Sequence, residues 1–421
     1  MRKAKITLFE HQTLKLDHEY NGIVFEGKHL SALQRYYGKG KIPYFKLINK
    51  GVQFCEFVGV IQVGSLVIEV LPKADNQPDN DSVKNLWHNL LIGMLRAVGT
   101  FDIRTPSSSN LAIKPHSILE LYFELFIKEV EYLVHTGLIK CYRKTESNTT
   151  ALKGSLVFSQ HIQKNIVHQE RFYTRYSTYD TEHILHIILF KAIKLIKTLT
   201  SRAELHNRIG ALELGFPEMP EKPITESTFT KLIYSRKTEI YRNAIDIARL
   251  LLLNYHPDLK AGGNNVLALM FDMNQLWESF VYVSLRKGAR VNNSEYQIMQ
   301  KPHKLFWRPD SGNKSSLEPD IVIRKDELTF VLDTKWKNLN GGNPNIQDLR
   351  QMYVYHDYYE ARKVALVYPG VENSSNSGRF LDIQTAKDTD KSCGLMFLKA
   401  ESNIHEWQES IYREFCDWAS G

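Results

Sequence analysis

The stretch LEPDIVIRKDELTFVLDTK, from Leu317 to Lys335, decides how the rest of the chain is read. Two apolar, β-branched runs flank the charged turn Arg324 to Glu327, the pattern of a β-hairpin. Asp320 stands at the mouth of the first strand. Asp333 and Lys335 are two apart on the second, so they share a side with Val331, while Phe330, Leu332 and Thr334 point to the other. Two carboxylates and a lysine converging at one sheet face suit metal-dependent hydrolysis of a phosphodiester. The carboxylates offer hard oxygen ligands to one or two Mg²⁺ ions, with Mn²⁺ as the alternative. The lysine can orient the attacking water or neutralise charge developing on phosphate.

An Asp-x-Lys triplet alone occurs by chance in many proteins. Here the whole arrangement is present: Pro319-Asp320 leading into an apolar strand, a hairpin's gap, then a strand ending in Asp333-Thr334-Lys335. This is similar to the PD-(D/E)xK nuclease signature.

Composition sets the outer bounds. A chain of 421 residues exceeds what one core usually holds, so two or three domains are expected. Its 43% hydrophobic and 24% charged content is that of a soluble globular protein, and a formal charge of +7 is compatible with a nucleic-acid partner. Cys55, Cys141, Cys393 and Cys416 form no Cys-x-x-Cys pair, which argues against a zinc site or a disulfide framework. The opening MRKAKITLFEHQ lacks an apolar signal core, and no stretch has the length of a membrane span, so a cytoplasmic protein with no membrane partner is expected. There is no GxxxxGK[ST] loop for nucleotide phosphates.

The expected architecture is a multidomain α/β and β protein. Residues 1–115 read as an N-terminal β-rich domain suited to DNA or partner binding, with the clearest hairpin at Phe54–Val63 and Leu66–Lys73 around Gly64-Ser65. A helix over Val83–Val98, capped by Asp81 or Ser82, follows the polar loop Ala74–Ser82. A second loop is expected at Thr105–Asn110. Residues 116–255 read as helical, with a long projecting hairpin whose arms are Leu152–Phe158 and Phe172–Asp180 and whose polar tip is Gln160–Glu170. Apolar spacing predicts helices over Ile118–Gly137, from about Thr181, and over Ile240–Leu253. The boundary at His256-Pro257 and Gly262-Gly263 opens the last domain, 256–421. There a helix is expected over Val266–Arg286, buried along Met270, Met273, Trp277, Phe280, Val281 and Leu285 with Glu278 at the stripe's edge. The 317–335 hairpin follows it, then a helix carrying Gln351 and Tyr355 on one face, strands at Lys363–Pro369 and Gly394–Leu398, and a terminal helix. Glu278 is a candidate third metal carboxylate and Gln351 a candidate for placing the metal or the DNA.

Further markers extend beyond the hairpin: LKGSLVF (Leu152 to Phe158), STYD (Ser177 to Asp180), FDMNQLWESFV (Phe271 to Val281), VLDTKW (Val331 to Trp336) and DLRQMYVY (Asp348 to Tyr355). In their order and spacing, over roughly residues 118–421, the chain resembles McrC, the nuclease subunit of McrBC-type, modification-dependent restriction systems. The N-terminal FVGVIQVGSLVIEVLPK resembles the longer members. The resemblance implies a PD-(D/E)xK endonuclease-like C-terminal domain with Asp320, Asp333 and Lys335 in its motif. It also implies DNA as substrate and a hexameric McrB-like AAA+ GTPase as partner. GTP would then be used only through that partner, whose ring the middle domain would enter. Where members often carry an Asn-containing segment after STYD, this chain has Glu182-His183. Pairing of two copies in the active complex follows from the two cuts of a double-strand break. The competing readings are a non-catalytic activator of the partner GTPase and a standalone DNA repair nuclease.

Overall fold

The computed structural model describes residues 4–38, 44–73, 80–98, 118–200, 202–256, 265–339, 342–382 and 384–421. The loop expected at Thr105–Asn110, most of that at Ala74–Ser82, and Pro257 with Gly262-Gly263 lie outside the described residues. The chain divides into two compact units. The described residues between 103 and 257 form one, and those of 4–102 together with 258–421 form the other. The sequence boundaries cut the chain into three segments; the structure groups the first with the last.

In the first unit, Ile118–Thr136 is a helix buried along most of its length, and Gly137 ends it at φ +90°. It shares an apolar core with helices at Ile184–Leu199, Ala203–Gly215 and Arg242–Leu253. The hairpin here is not the one expected. Phe172–Asp180 pairs along its full length with Cys141–Thr149, whereas the Leu152–Phe158 arm contributes only Ser155-Leu156 as strand. Phe158–Asn165 is helical. Asn165, buried at its end, exchanges amide hydrogen bonds with Asn148 at 2.7 and 2.8 Å. The Cys141–Thr149 arm carries no apolar strand signal: its sequence, CYRKTESNT, is polar on both faces, and every other residue is exposed.

In the second unit, Ala4–Phe9, Leu66–Leu71, Phe57–Val63 and Val266–Asp272 lie side by side in that order. The Phe57–Val63/Leu66–Leu71 hairpin forms as its Gly64-Ser65 turn foretold. Gly59 sits at φ +139° with the Leu269 carbonyl where a Cβ would stand, so only glycine lets those two strands close. Asn80, rather than Asp81 or Ser82, caps the following helix, accepting from Val83 N at 2.9 Å. Val266–Asp272 is a strand and not the first turns of a helix, as expected from the sequence. The helix begins at Met273, capped by Asp272, and runs to Val291. A run of apolar residues is ambiguous between the two, and here the free edge of Phe57–Val63 decides it.

The sheet that carries the decisive hairpin has six strands, in the order Gln297–Gln300, Ile321–Lys325, Leu328–Thr334, Lys363–Gly370, Asp388–Lys399, Ser374–Leu381. Its middle three are parallel and both outer regions antiparallel. On one face, Val322, Val331, Val364 and Leu366 pack with Met352 and Tyr355 of the helix Ile346–Tyr358 and with Tyr359, which caps it. On the other, Phe330 meets Phe415 and Trp418 of the terminal helix Ile404–Ser420, which also packs on Met273–Val291 through Trp407, Trp277 and Phe280.

The N-terminal strands bear directly on this arrangement. Glu10, buried, accepts from the Trp336 indole N–H at 2.8 Å and from Lys73 N at 3.0 Å, and Trp336 also meets Trp87 and Trp277 edge-on. Burial raises the Glu10 carboxyl above its ordinary range, partly offset by the Trp336 bond. Glu10→Ala should therefore strand two donors and lower unfolding stability by roughly 1–3 kcal/mol. Glu10→Gln keeps an acceptor without the buried charge and should fall within about 1 kcal/mol of the parent, or above it. Urea denaturation of the two variants checks this.

Candidate functional site

The site lies at the C-terminal end of the Leu328–Thr334 strand, where a parallel sheet opens to solvent beyond its last hydrogen bonds, rather than on the middle of its face. Asp333 is the last strand residue on the side of the Gln351 helix and is only 2% exposed. Its Oδ1 accepts from Gln351 Nε2 at 3.2 Å, and its Oδ2 faces Lys335 Nζ at 2.7 Å. That ammonium is the sole partner of Oδ2 among the described residues. Gln351 is itself held by Tyr355 OH at 2.7 Å, which donates onward to the Glu318 carbonyl at 3.1 Å. The (i, i+4) spacing of Gln351 and Tyr355 thus turns a helix face into a bracket for the carboxylate.

Asp320 enters from the neighbouring strand. Its Oδ2 accepts from both Thr334 N at 2.6 Å and Thr334 Oγ1 at 2.7 Å, which leaves Oδ1 free to ligate. Lys335 is anchored through its backbone N–H to the Val367 carbonyl at 2.9 Å, and its Nζ also lies 3.9 Å from Asp348. The Trp277 indole reaches the same Val367 carbonyl at 3.3 Å, pinning the helix that bears Glu278 to the strand beside Lys335.

Glu278 is buried rather than at an exposed edge. It accepts from Gln300 Nε2 at 3.1 Å and pairs with Lys301 Nζ at 2.9 Å. Its carboxyl feels the Asp320 charge, although none of its hydrogen bonds reaches the other four residues. The structure therefore joins Asp333, Lys335 and Gln351 directly, sets Asp320 beside them through Thr334, and attaches Glu278 through Lys301, whose N–H donates to the Asp320 carbonyl at 3.0 Å. Lys301 was not singled out from sequence. It holds φ +45°, unusual for a side-chain-bearing residue, and nothing in the stretch Gln300-Lys301-Pro302 announces that. Asp348, which also takes Lys337 at 2.6 Å, was noticed only as a helix residue.

The electrostatics follow from this crowding. Burial, together with the Asp320 charge, pushes the Asp333 carboxyl up to about 7, against the lowering pull of Lys335. Glu278 is likewise raised by burial and by Asp320, and Lys301 only partly offsets this. Burial alone would lower Lys335, but Asp333, Asp348 and Asp320 outweigh it and hold the ammonium charged. Carboxylates kept close together and short of counter-charge are what a divalent cation relieves. No group of three His, Cys, Asp or Glu side chains placed to hold a metal occurs among the described residues. Mg²⁺ fits such a set, because it commonly takes one or two carboxylates and completes its shell with water and substrate oxygens.

A refined half-complex from the tetradecameric assembly of Thermococcus gammatolerans McrB AAA+ hexamers with bound McrC contains a similar fold. The match has a TM-score of 0.68 at 19% identity and covers 99% of this chain and 100% of that one. The cryo-EM structure of the Thermococcus gammatolerans McrBC complex matches over 68% of this chain and 88% of that one, at 18% identity and a TM-score of 0.48. No curated protein matches. The family model described as McrBC 5-methylcytosine restriction system component matches residues 52–369, well over half of the sequence, and the chain belongs to that family.

Proposed function

We propose that this protein is the Mg²⁺-dependent DNA endonuclease subunit of a McrBC-type restriction complex, cutting DNA with a hexameric AAA+ GTPase partner. One observation carries the reading. Asp320, Asp333 and Lys335 converge at one strand end, with Asp333 held ionisable but under-compensated, in a chain of the McrBC family. The AAA+ partner is suggested by the similar Thermococcus gammatolerans assembly, in which McrC is bound to McrB hexamers.

A bound divalent cation would supply Lewis acidity toward a phosphate oxygen. Asp320, through Oδ1, and Asp333 would hold it, with Glu278 as a further carboxylate once released from Lys301. The rest of the chemistry belongs to the chain. Thr334 fixes the Asp320 carboxylate by two donors, so its free oxygen has one orientation. Gln351, braced by Tyr355, does the same for Asp333. Lys335 stays protonated. Its ammonium, paired with Asp333 at the strand end, would serve a non-bridging phosphate oxygen or the attacking water and stabilise the charge that builds up in the transition state. A double-strand break needs two such sites, which we assign to two copies in the working complex.

Plasmid cleavage tests this, with the chain alone and with its AAA+ partner, GTP and Mg²⁺. Asp333→Ala should reduce cutting by roughly 10²–10³-fold or more while leaving the fold and the stimulation of the partner's GTP hydrolysis intact. Full cutting by a folded Asp333→Ala variant would remove the site from consideration. Stimulated GTP hydrolysis without any cutting by the parent would favour an activator, and cutting without the partner a standalone nuclease.

A second test follows from the raised Asp333 carboxyl. Its proton is held more tightly in the folded chain than in the unfolded one. Metal-free stability should therefore fall as pH rises from the ordinary 3.8 towards about 7, and level off above that. In EDTA, Asp333→Asn should lose this pH dependence and melt higher than the parent at neutral pH. Added Mg²⁺ should raise the melting temperature of the parent only. Identical melting curves for parent and variant with and without Mg²⁺ would show that Asp333 neither carries that cost nor meets the ion.

A further inference from the structure

Between the Gln297–Gln300 strand and Asp320 the chain leaves the sheet as a two-stranded ribbon, Lys304–Trp307 paired with Ser315–Leu317. Both legs of the ribbon are fastened at the site. Lys301 N–H donates to the Asp320 carbonyl at 3.0 Å. Tyr359 OH donates to the Pro302 carbonyl at 2.8 Å, with the Leu317 carbonyl at 3.4 Å, and Tyr355 OH holds the Glu318 carbonyl. The base is thereby rigid and registered to the carboxylates. Phe306 packs edge-on against Tyr358, with ring centroids 5.1 Å apart, and Lys304 Nζ bonds the Tyr358 carbonyl.

Beyond that base the ribbon carries side chains that its own fold does not use. Leu305 and Trp307 are 57% and 58% exposed, and Trp307 makes no ring contact among the described residues. A register shift between Leu305 and Trp307 kinks the ribbon there. Arg308 and Lys314 are exposed at the tip, with Asp310 as the single carboxylate between Lys304 and Leu317. An exposed edge of large apolar residues is normally an aggregation hazard, and it is retained where it has a partner. Aromatic and aliphatic side chains interleaved with cations suit a nucleic acid, in which the cations meet phosphates and the aromatic ring meets a base face or a base step.

We propose that this ribbon is a DNA-gripping flap. Arg308 and Lys314 engage the phosphate backbone beside the cleavage point, and Trp307, flanked by Leu305, stacks on or wedges between bases. The proposal rests on the nuclease reading of the adjacent site and adds to it the element that seats the substrate.

The test is binding of a fluorescein-labelled DNA duplex in EDTA, where no cutting occurs, followed by fluorescence anisotropy of the full chain. Trp307→Ala should weaken binding by about tenfold. Arg308→Ala should weaken it as well and also flatten the dependence of affinity on salt, by about one unit in the log–log slope. Both substitutions are on exposed positions, so the melting temperature should not move. Unchanged affinity for the Trp307→Ala protein would overturn the proposal. So would unchanged affinity with a loss of self-association in sedimentation, which would assign the ribbon to an interface between copies. The two readings separate cleanly. Weakened binding by Trp307→Ala in a parent that never cuts DNA would leave the flap standing and the nuclease assignment fallen. Normal binding by Trp307→Ala alongside cleavage lost in Asp333→Ala would do the reverse.

Discussion

The Asp333 carboxylate, buried at the end of an apolar parallel strand, is the constraint around which this unit is built. A charge in that position is costly unless it is paired, and the surrounding groups are arranged to reduce the cost without removing it. Lys335 supplies one charge, Gln351 one hydrogen bond, and Thr334 diverts the neighbouring Asp320 carboxylate into a fixed pose. The residual cost appears as a proton held more tightly than a carboxylate normally holds one. A fold optimised only for stability would place an apolar residue there. This one keeps the strain, which Lys335 only partly offsets.

That strain is affordable because of what lies behind it. Val367 accepts from both Lys335 N–H and the Trp277 indole, so one carbonyl sets the spacing between the Asp333 strand and the Glu278 helix. Trp336, the next residue after Lys335, is locked by Glu10 and flanked by Trp87 and Trp277. The N-terminal strands are thus part of the support of the site. Glu10 and Trp336 are 326 residues apart along the chain, which hides this role in the sequence.

The described residues of the other unit have a different character. Their helices bury an ordinary apolar core, but the hairpin Cys141–Thr149/Phe172–Asp180 is mostly only half-buried on its covered face, where Thr174 alone is fully buried, and is held by polar cross-strand contacts such as Thr145–Thr178 and Arg175–Glu146. No helix among the described residues is long and apolar enough to cross a membrane.

The sequence by itself determined the elements whose residues carry a local pattern. The 317–335 hairpin, the Phe57–Val63/Leu66–Leu71 hairpin, the Ile118–Thr136 helix and the Gln351 helix all follow from periodicity and turn chemistry, which depend on neighbours in the chain. Asp320, Asp333 and Lys335 were legible because strand alternation and one short turn fix their relation. Three things required the tertiary structure. Val266–Asp272 became a strand because a distant strand offered its edge, Cys141–Thr149 paired without any apolar signal, and Lys301 reached Glu278 only through a left-handed backbone turn. Each depends on contacts between residues far apart in sequence, where side-chain pattern gives no distance and only packing decides which groups meet.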